Sequence, residues 1–127
     1  MRVATYNCNS IRSRLDLVLA WLAQHQPDLL ALQETKVVDE LFPAGPLRDA
    51  GYHVAFRGMK AYNGVALLSR RAPDAVAFGF DDDGPADEPR LLHARFGALH
   101  LVNTYIPQGR AIDHPMFRYK VDWYARL

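Results

Sequence analysis

The chain holds 127 residues, 50% of them hydrophobic and 23% charged, with a formal net charge of +1. That length and composition suit one globular domain with a sizeable core and exclude a disordered chain. The single Cys8 excludes an internal disulfide, and the opening MRVATYNCNS has no long apolar run of a secretory signal or membrane span, so the expected compartment is the reducing cytoplasm.

In chain order, Arg2 to Asn7 alternates small or β-branched with bulky residues and then turns polar at Asn7-Cys8-Asn9-Ser10, which predicts a strand running into a loop. Ser10 is placed to cap a helix whose apolar positions Ile11, Leu15, Val18, Leu19 and Leu22 recur at helical spacing, and Pro27 marks its end. Leu29 to Leu32 is a short apolar run of the kind a strand buried on both faces shows. Strand, helix, strand predicts a parallel crossover.

In that arrangement the polar ends of the two strands, at Asn7 and at Gln33-Glu34, emerge on one edge, where open α/β sheets place their ligands. A carboxylate and an amide oxygen converging there are hard donors, suited to Mg²⁺ or Mn²⁺ rather than zinc. The plain alternative is a solvated loop acid beside a turn-forming asparagine.

After Pro43 to Asp49, a loop or short helix, the pattern becomes successive strands: Tyr52 to Phe56, Gly64 to Ser69, Ala75 to Phe80, Leu91 to Phe96 and Leu99 to Tyr105. Turn signals at Tyr62-Asn63-Gly64, Arg71-Ala72-Pro73, Asp81 to Pro89 and Gly97 join them, and the short connections predict antiparallel hairpins on a mixed sheet. A final helix, Met116 to Leu127, carries Phe117, Lys120, Val121, Tyr124 and Leu127 on one face. No repeat, low-complexity tract or linker divides the chain.

The net charge points to no partner, but the charges segregate. Arg2, Arg12 and Arg14 precede the first acid, Asp16, whereas Asp81, Asp82, Asp83, Asp87 and Glu88 cluster. Arg57, Lys60, Arg70 and Arg71 span a stretch without a carboxylate. Basic stretches sharing a face would suit a polyanion; the alternative is a solvated surface of mixed sign. Asp81-Asp82-Asp83-Gly84 lacks the spacing of a calcium loop and is expected to be a solvated hairpin tip. His25, His53, His93, His100 and His114 show no paired ligand spacing, and neither Ser69 nor Cys8 has a nucleophile's context.

Several segments carry a resemblance together: Tyr-Asn-Cys-Asn-Ser-Ile-Arg (6 to 12), Leu-Gln-Glu-Thr-Lys (32 to 36), Tyr-Asn-Gly-Val-Ala-Leu-Leu-Ser-Arg (62 to 70), Val-Asn-Thr-Tyr-Ile-Pro-Gln-Gly (102 to 109) and Phe-Arg-Tyr-Lys-Val-Asp-Trp (117 to 123). Spread over the whole chain in this order, they resemble the exodeoxyribonuclease III branch of the endonuclease/exonuclease/phosphatase superfamily. The resemblance implies an α/β fold: a mixed β-sheet with flanking helices, forming the amino-terminal half of that family's four-layered sandwich, with residues 1–127 as half of one domain. It names Asn7 and Glu34 as holders of the catalytic Mg²⁺ or Mn²⁺, and Tyr105 as the tyrosine set against the scissile phosphate.

By the same resemblance, Arg90 matches a phosphate-contacting arginine, Tyr62, Asn63, Gln108 and Arg110 fall in loops that in that family meet the DNA backbone or lesion, and Asn9 and Lys36 are expected behind the ligands or on the phosphate side. The activity implied is DNA repair by metal-dependent hydrolysis of phosphodiester bonds, as a 3′-5′ exonuclease and abasic-site endonuclease in base excision repair. Its partner would be double-stranded DNA with abasic sites or 3′ ends, and no membrane. The family's water-orienting Gly-Asp-Phe-Asn-like segment and terminal Asp-His pair have no counterpart here. The expectation is therefore an incomplete site, with little nuclease activity alone and an apolar sheet face meant for the other half, through which the chain self-associates or takes a complementing fragment. Two alternatives stand beside it: a superfamily phosphodiesterase or phosphatase, against which the Tyr-Ile-Pro-Gln-Gly and Tyr-Lys-Val-Asp-Trp segments argue, and a non-catalytic binding or assembly fragment.

Overall fold

A computed structural model describes all residues, 1–127. Strand β1 (Val3–Asn7) leads into helix α1 (Ile11–His25), strand β2 (Leu29–Gln33), a 3-10 turn (Asp39–Leu41) and the short helix α2 (Ala44–Asp49). Strands β3 (His53–Arg57), β4 (Val65–Ser69), β5 (Ala75–Phe78), β6 (Leu91–Phe96) and β7 (Leu99–Thr104) follow, and α3 (Pro115–Arg126) closes the fold. The Ser10 hydroxyl accepts the Ser13 amide to start α1, and Gln26, left-handed at φ 45°, ends it before Pro27.

The strands divide into two sheets: a mixed one in the order β1-β2-β4-β3, and an antiparallel one in the order β5-β6-β7. β1 and β2 pair in parallel, bringing Asn7 opposite Gln33. Every residue of β4, and every residue of β2 but Gln33, is buried, because each strand is covered on both faces. One face packs Leu30, Leu32, Ala66 and Leu68 against Ile11, Val18 and Leu22 of α1 and Leu47 of α2. The other packs Leu29, Ala31, Val65 and Leu67 against Leu92, Ala94 and Phe96 of β6. Each large aliphatic side chain buried there contributes roughly 1.5–3 kcal/mol.

The mixed sheet with flanking helices is as expected, but its second face is covered within this chain, by the three-stranded sheet. What stays unpaired instead is both edges of each sheet, β1 and β3 on one and β5 and β7 on the other. β1 and β7 end their sheets side by side, with Val3 52% and Val102 55% exposed, and a cleft of about 360 Å³ lies between them, lined by Val3, Thr5, Gln33, Leu101 and Asn103 among others. On α3 the buried residue is Trp123, whereas Phe117, Val121, Tyr124 and Leu127 of the expected apolar face are exposed.

Candidate active site

Three loops meet at the polar end of the mixed sheet, stitched by backbone hydrogen bonds. The amides of Cys8 and Ser10 donate to the carbonyls of Gln33 and Glu34 at 3.0 and 2.8 Å, and Lys36 donates to the Asn63 carbonyl at 2.9 Å. This path forces left-handed backbone on Asn9, Ser10, Glu34, Lys36 and Asn63, with φ between 45° and 91°. Each such residue costs about 1–2 kcal/mol, a concentration of strain typical of a functional site. Gly64, at φ 95°, cannot be replaced cheaply: a Cβ there would lie 2.0 Å from the Thr35 hydroxyl oxygen.

The side chains converge on Glu34. Asn7 donates through Nδ2 to Glu34 Oε1 at 2.9 Å, and Lys36 Nζ stands 3.3 Å from Oε2 while also donating to Asn9 Oδ1. Tyr105 is turned toward the same carboxylate, close enough for each group to shift the other, without closing a bond as tight as that of Asn7. Burial pushes the Glu34 carboxyl upward, but the Asn7 amide, the nearby Tyr105 hydroxyl and the Lys36 ammonium outweigh it, so it titrates below the usual carboxylate range. For the Tyr105 phenol, burial first and the Glu34 carboxylate second act in one direction, upward. Cys8, buried beneath the loop with Sγ donating to the Gln33 and Glu34 carbonyls, is pushed up to about 11 chiefly by burial, which makes it a packing group rather than a nucleophile.

The donor set fits a hard divalent cation. Glu34 offers carboxylate oxygens with its side chain 19% exposed, and rotating the Asn7 amide would exchange the Nδ2 now facing Glu34 for Oδ1. Water and phosphate oxygens would complete the shell of an ion such as Mg²⁺ or Mn²⁺. The chain has no group of three or more His, Cys, Asp or Glu side chains placed for a metal. His93 and His100, in adjacent strands, do meet at 2.9 Å, because their register sets them diagonally across the β6–β7 ladder; two imidazoles are short of a zinc site.

Of the expected residues, Asn7, Glu34, Asn9, Lys36 and Tyr105 come together. Arg90 lies behind Tyr105, 7% exposed, with Nε and Nη2 donating to Glu88 and Nη1 donating to the Tyr105 carbonyl. Asn63 is 7% exposed and joins the site through its backbone carbonyl, while its side chain turns to Met59. Its neighbour Tyr62 is 69% exposed at the loop tip. Gln108 and Arg110 are exposed on the loop after β7, flanking Gly109, which approaches the Lys120 side chain.

Two features escaped the sequence. Asn103 joins the sheets: it is 3% exposed, donates to the Leu32 and Ala66 carbonyls at 3.0 and 2.9 Å, and accepts from Gln33 Nε2 at 2.7 Å. The acidic stretch is more than a solvated tip. Asp87 accepts from the Tyr119 hydroxyl and the Trp123 indole of α3, and Asp82 accepts from Arg126. The four-residue spacing of Tyr119 and Trp123, both carrying a donor on an aromatic body, was the available signal for the Asp87 contacts.

A strand-end carboxylate ringed by an amide, a lysine and a tyrosine, on a two-sheet α/β scaffold, is a donor set suited to a hard cation and a phosphate oxygen. The match to known proteins agrees: residues 4–127 fit the endonuclease/exonuclease/phosphatase family, and the chain belongs to it. It is 37% identical to exodeoxyribonuclease III of Haemophilus influenzae, with 100% of this chain aligned to 49% of that protein. Its fold superposes on a 3′-5′ exonuclease of Neisseria meningitidis with a TM-score of 0.95 and 39% identity, and on an AP endonuclease of Archaeoglobus fulgidus with a TM-score of 0.94 and 46% identity. In both structures 99% of this chain covers 49% of the other. The chain thus spans about half the length of its relatives.

Proposed function

We propose that this chain supplies the metal-binding and phosphate-facing part of a DNA-hydrolysing site of the exodeoxyribonuclease III type, serving 3′-5′ exonuclease and abasic-site endonuclease chemistry in base excision repair. The observation that carries this reading is Glu34, held on strained backbone at the shared end of β1 and β2 with Asn7, Lys36 and Tyr105 around its carboxylate.

Glu34 and Asn7 would hold Mg²⁺ or Mn²⁺, which when bound supplies Lewis-acid polarisation of the phosphate and stabilisation of the leaving oxygen. The low-titrating Glu34 stays an anion at neutral pH and is a ready ligand. Tyr105, a neutral phenol at that pH, offers its hydroxyl to a phosphate oxygen and orients the ester. Lys36 and Asn9 stand on the phosphate side; Tyr62, Gln108 and Arg110 present exposed side chains to double-stranded DNA with abasic sites or 3′ ends, with Asn63 and Arg90 behind them.

The groups that activate water belong, on this reading, to a second half like that which makes the relatives twice as long, so the 127 residues alone cleave DNA poorly. The open β1 and β7 edges are where they self-associate or take a complementing fragment. The free, buried Cys8 suits a reducing cytoplasm, and no helix is long and apolar enough to cross a membrane.

Titration of the chain with Mn²⁺, followed by electron paramagnetic resonance, tests the site. Binding that Glu34→Gln abolishes supports it; binding indifferent to Glu34→Gln, or brisk cleavage of abasic DNA by the chain alone, overturns the respective claim.

A further inference from the structure

Tyr105 sits one residue beyond the end of β7, its ring packed at the margin of the second core. That packing does not by itself aim the hydroxyl at Glu34. The residue in contact with Tyr105 on both backbone and ring is Arg90. The Tyr105 amide donates to the Arg90 carbonyl at 2.7 Å, and Arg90 Nη1 donates back to the Tyr105 carbonyl at 3.3 Å. The guanidinium carbon also lies over the Tyr105 ring, 5.0 Å from its centroid, and 5.8 Å from the centroid of Tyr119 on α3. Tyr119 is in turn fastened by its hydroxyl to Asp87, which Trp123 also holds.

Glu88 takes Nε and Nη2 at 3.2 and 3.1 Å, so the guanidinium is engaged on three of its nitrogens by the fold itself. Its 7% exposure leaves little room for a group whose first task is to meet DNA. A flat cation bonded along its edge and packed across its face is suited to fixing an aromatic ring.

We propose that Arg90 is a positioning residue: through the carbonyl and ring of Tyr105 it holds the Tyr105 hydroxyl against Glu34, with Tyr119 of α3 backing the guanidinium. This rests on the reading of Glu34 and Tyr105 as site residues. It ties the orientation of the site tyrosine to the docking of α3, since losing the Asp87 latch frees Tyr119 and then Arg90.

Nuclear Overhauser contacts between the Tyr105 ring and the Glu34 methylenes, measured on the 127-residue chain, test the positioning directly. They are expected in the wild type, lost in Arg90→Met, and not restored in Arg90→Lys, which keeps the charge but not the flat, edge-bonded group. Mn²⁺ affinity, which a purely structural role would leave alone, is expected to fall about tenfold in Arg90→Met. Contacts that persist in Arg90→Met, or full recovery in Arg90→Lys, overturn the proposal. Should Arg90→Met fail to fold by circular dichroism, Arg90→Lys and Tyr119→Leu decide it by the same contacts. Mn²⁺ binding that ignores Glu34→Gln would sink the metal reading but leave the Tyr105 contacts to judge Arg90.

Discussion

Gln33 donates through Nε2 to Asn103 Oδ1 at 2.7 Å, a bond between the two sheets made by the residue directly before Glu34 and the residue two before Tyr105. The relation sets the distance between the strand ends that carry the site. Asn103 uses its amide fully, with Nδ2 serving the Leu32 and Ala66 carbonyls, and Gln33 Nε2 also reaches the Thr5 hydroxyl.

Replacing Asn103 by leucine would strand two buried carbonyls and part of Gln33, at a combined cost of about 3 kcal/mol. Asn103→Asp should cost more at neutral pH, because a carboxylate offers no donor to those carbonyls. Urea denaturation followed by circular dichroism measures both. A loss below about 0.5 kcal/mol for Asn103→Leu would mean that the sheets are held by their apolar faces alone.

Gly64→Ala tests the loop stitching. The glycine has φ 95°, and the added methyl would land 2.0 Å from the Thr35 oxygen, itself buried without a hydrogen-bond partner. Backbone strain and overpacking together should destabilise by about 3 kcal/mol. Because the amides of Thr35 and Lys36 donate to the carbonyls of Gly64 and Asn63, at 3.4 and 2.9 Å, directly after Glu34, the damage should also weaken Mn²⁺ binding. Alanine at Gly45, where nothing lies within 4 Å of a new Cβ, is the control expected to cost little.

Local elements were readable because their causes are local. Ser10 and Pro27 bracket α1, and the paired polar ends at Asn7 and Glu34 follow from strand parity and a parallel crossover. The division into two sheets was not readable. The Arg71-Ala72-Pro73 turn looks the same whether the chain doubles back within one sheet or leaves for another. The Gln33–Asn103 bond joins residues 70 apart, and nothing in either neighbourhood foretells it; the Asp87–Trp123 bond joins residues 36 apart, and the spacing of Tyr119 and Trp123 is its one local sign. The resemblance offered Arg90 as a phosphate-contacting arginine and carried no sign of its burial, which depends on Glu88, Tyr105 and Tyr119 together.

The acidic loop predicts the acid limb of stability. Asp82 is held down from its ordinary 3.8 to about 2, first by the Arg126 hydrogen bonds and then by the Gly84 amide. A depressed carboxyl contributes stability that is complete above its unfolded value, near pH 4, and vanishes as pH falls toward 2. Asp28 and Asp74, lowered chiefly by the Arg2 and Gly97 amides, act in the same direction. Melting temperatures between pH 5 and 2 should therefore fall, with α3 released early, and Asp82→Asn should flatten that decline. An unchanged slope in Asp82→Asn would show that Arg126 contributes no pH-dependent stability through this carboxylate.

The open edges predict association. β1 (VATYN) and β7 (LHLVNT) contain no Lys, Arg, Asp, Glu or Pro, the devices that usually guard an exposed edge. Val3 and Val102 both line the cleft between them. A lysine at either position would place a charge where an incoming strand must pack, while leaving the buried faces of both sheets intact. Sedimentation across a range of concentrations should show the wild type associating and Val3→Lys/Val102→Lys shifted to monomer, with unchanged circular dichroism. The substitution should equally weaken capture of any complementing fragment, since both compete for the same unpaired backbone. If the double variant associates as the wild type does, the exposed Phe117, Val121 and Tyr124 face of α3 becomes the contact to test next.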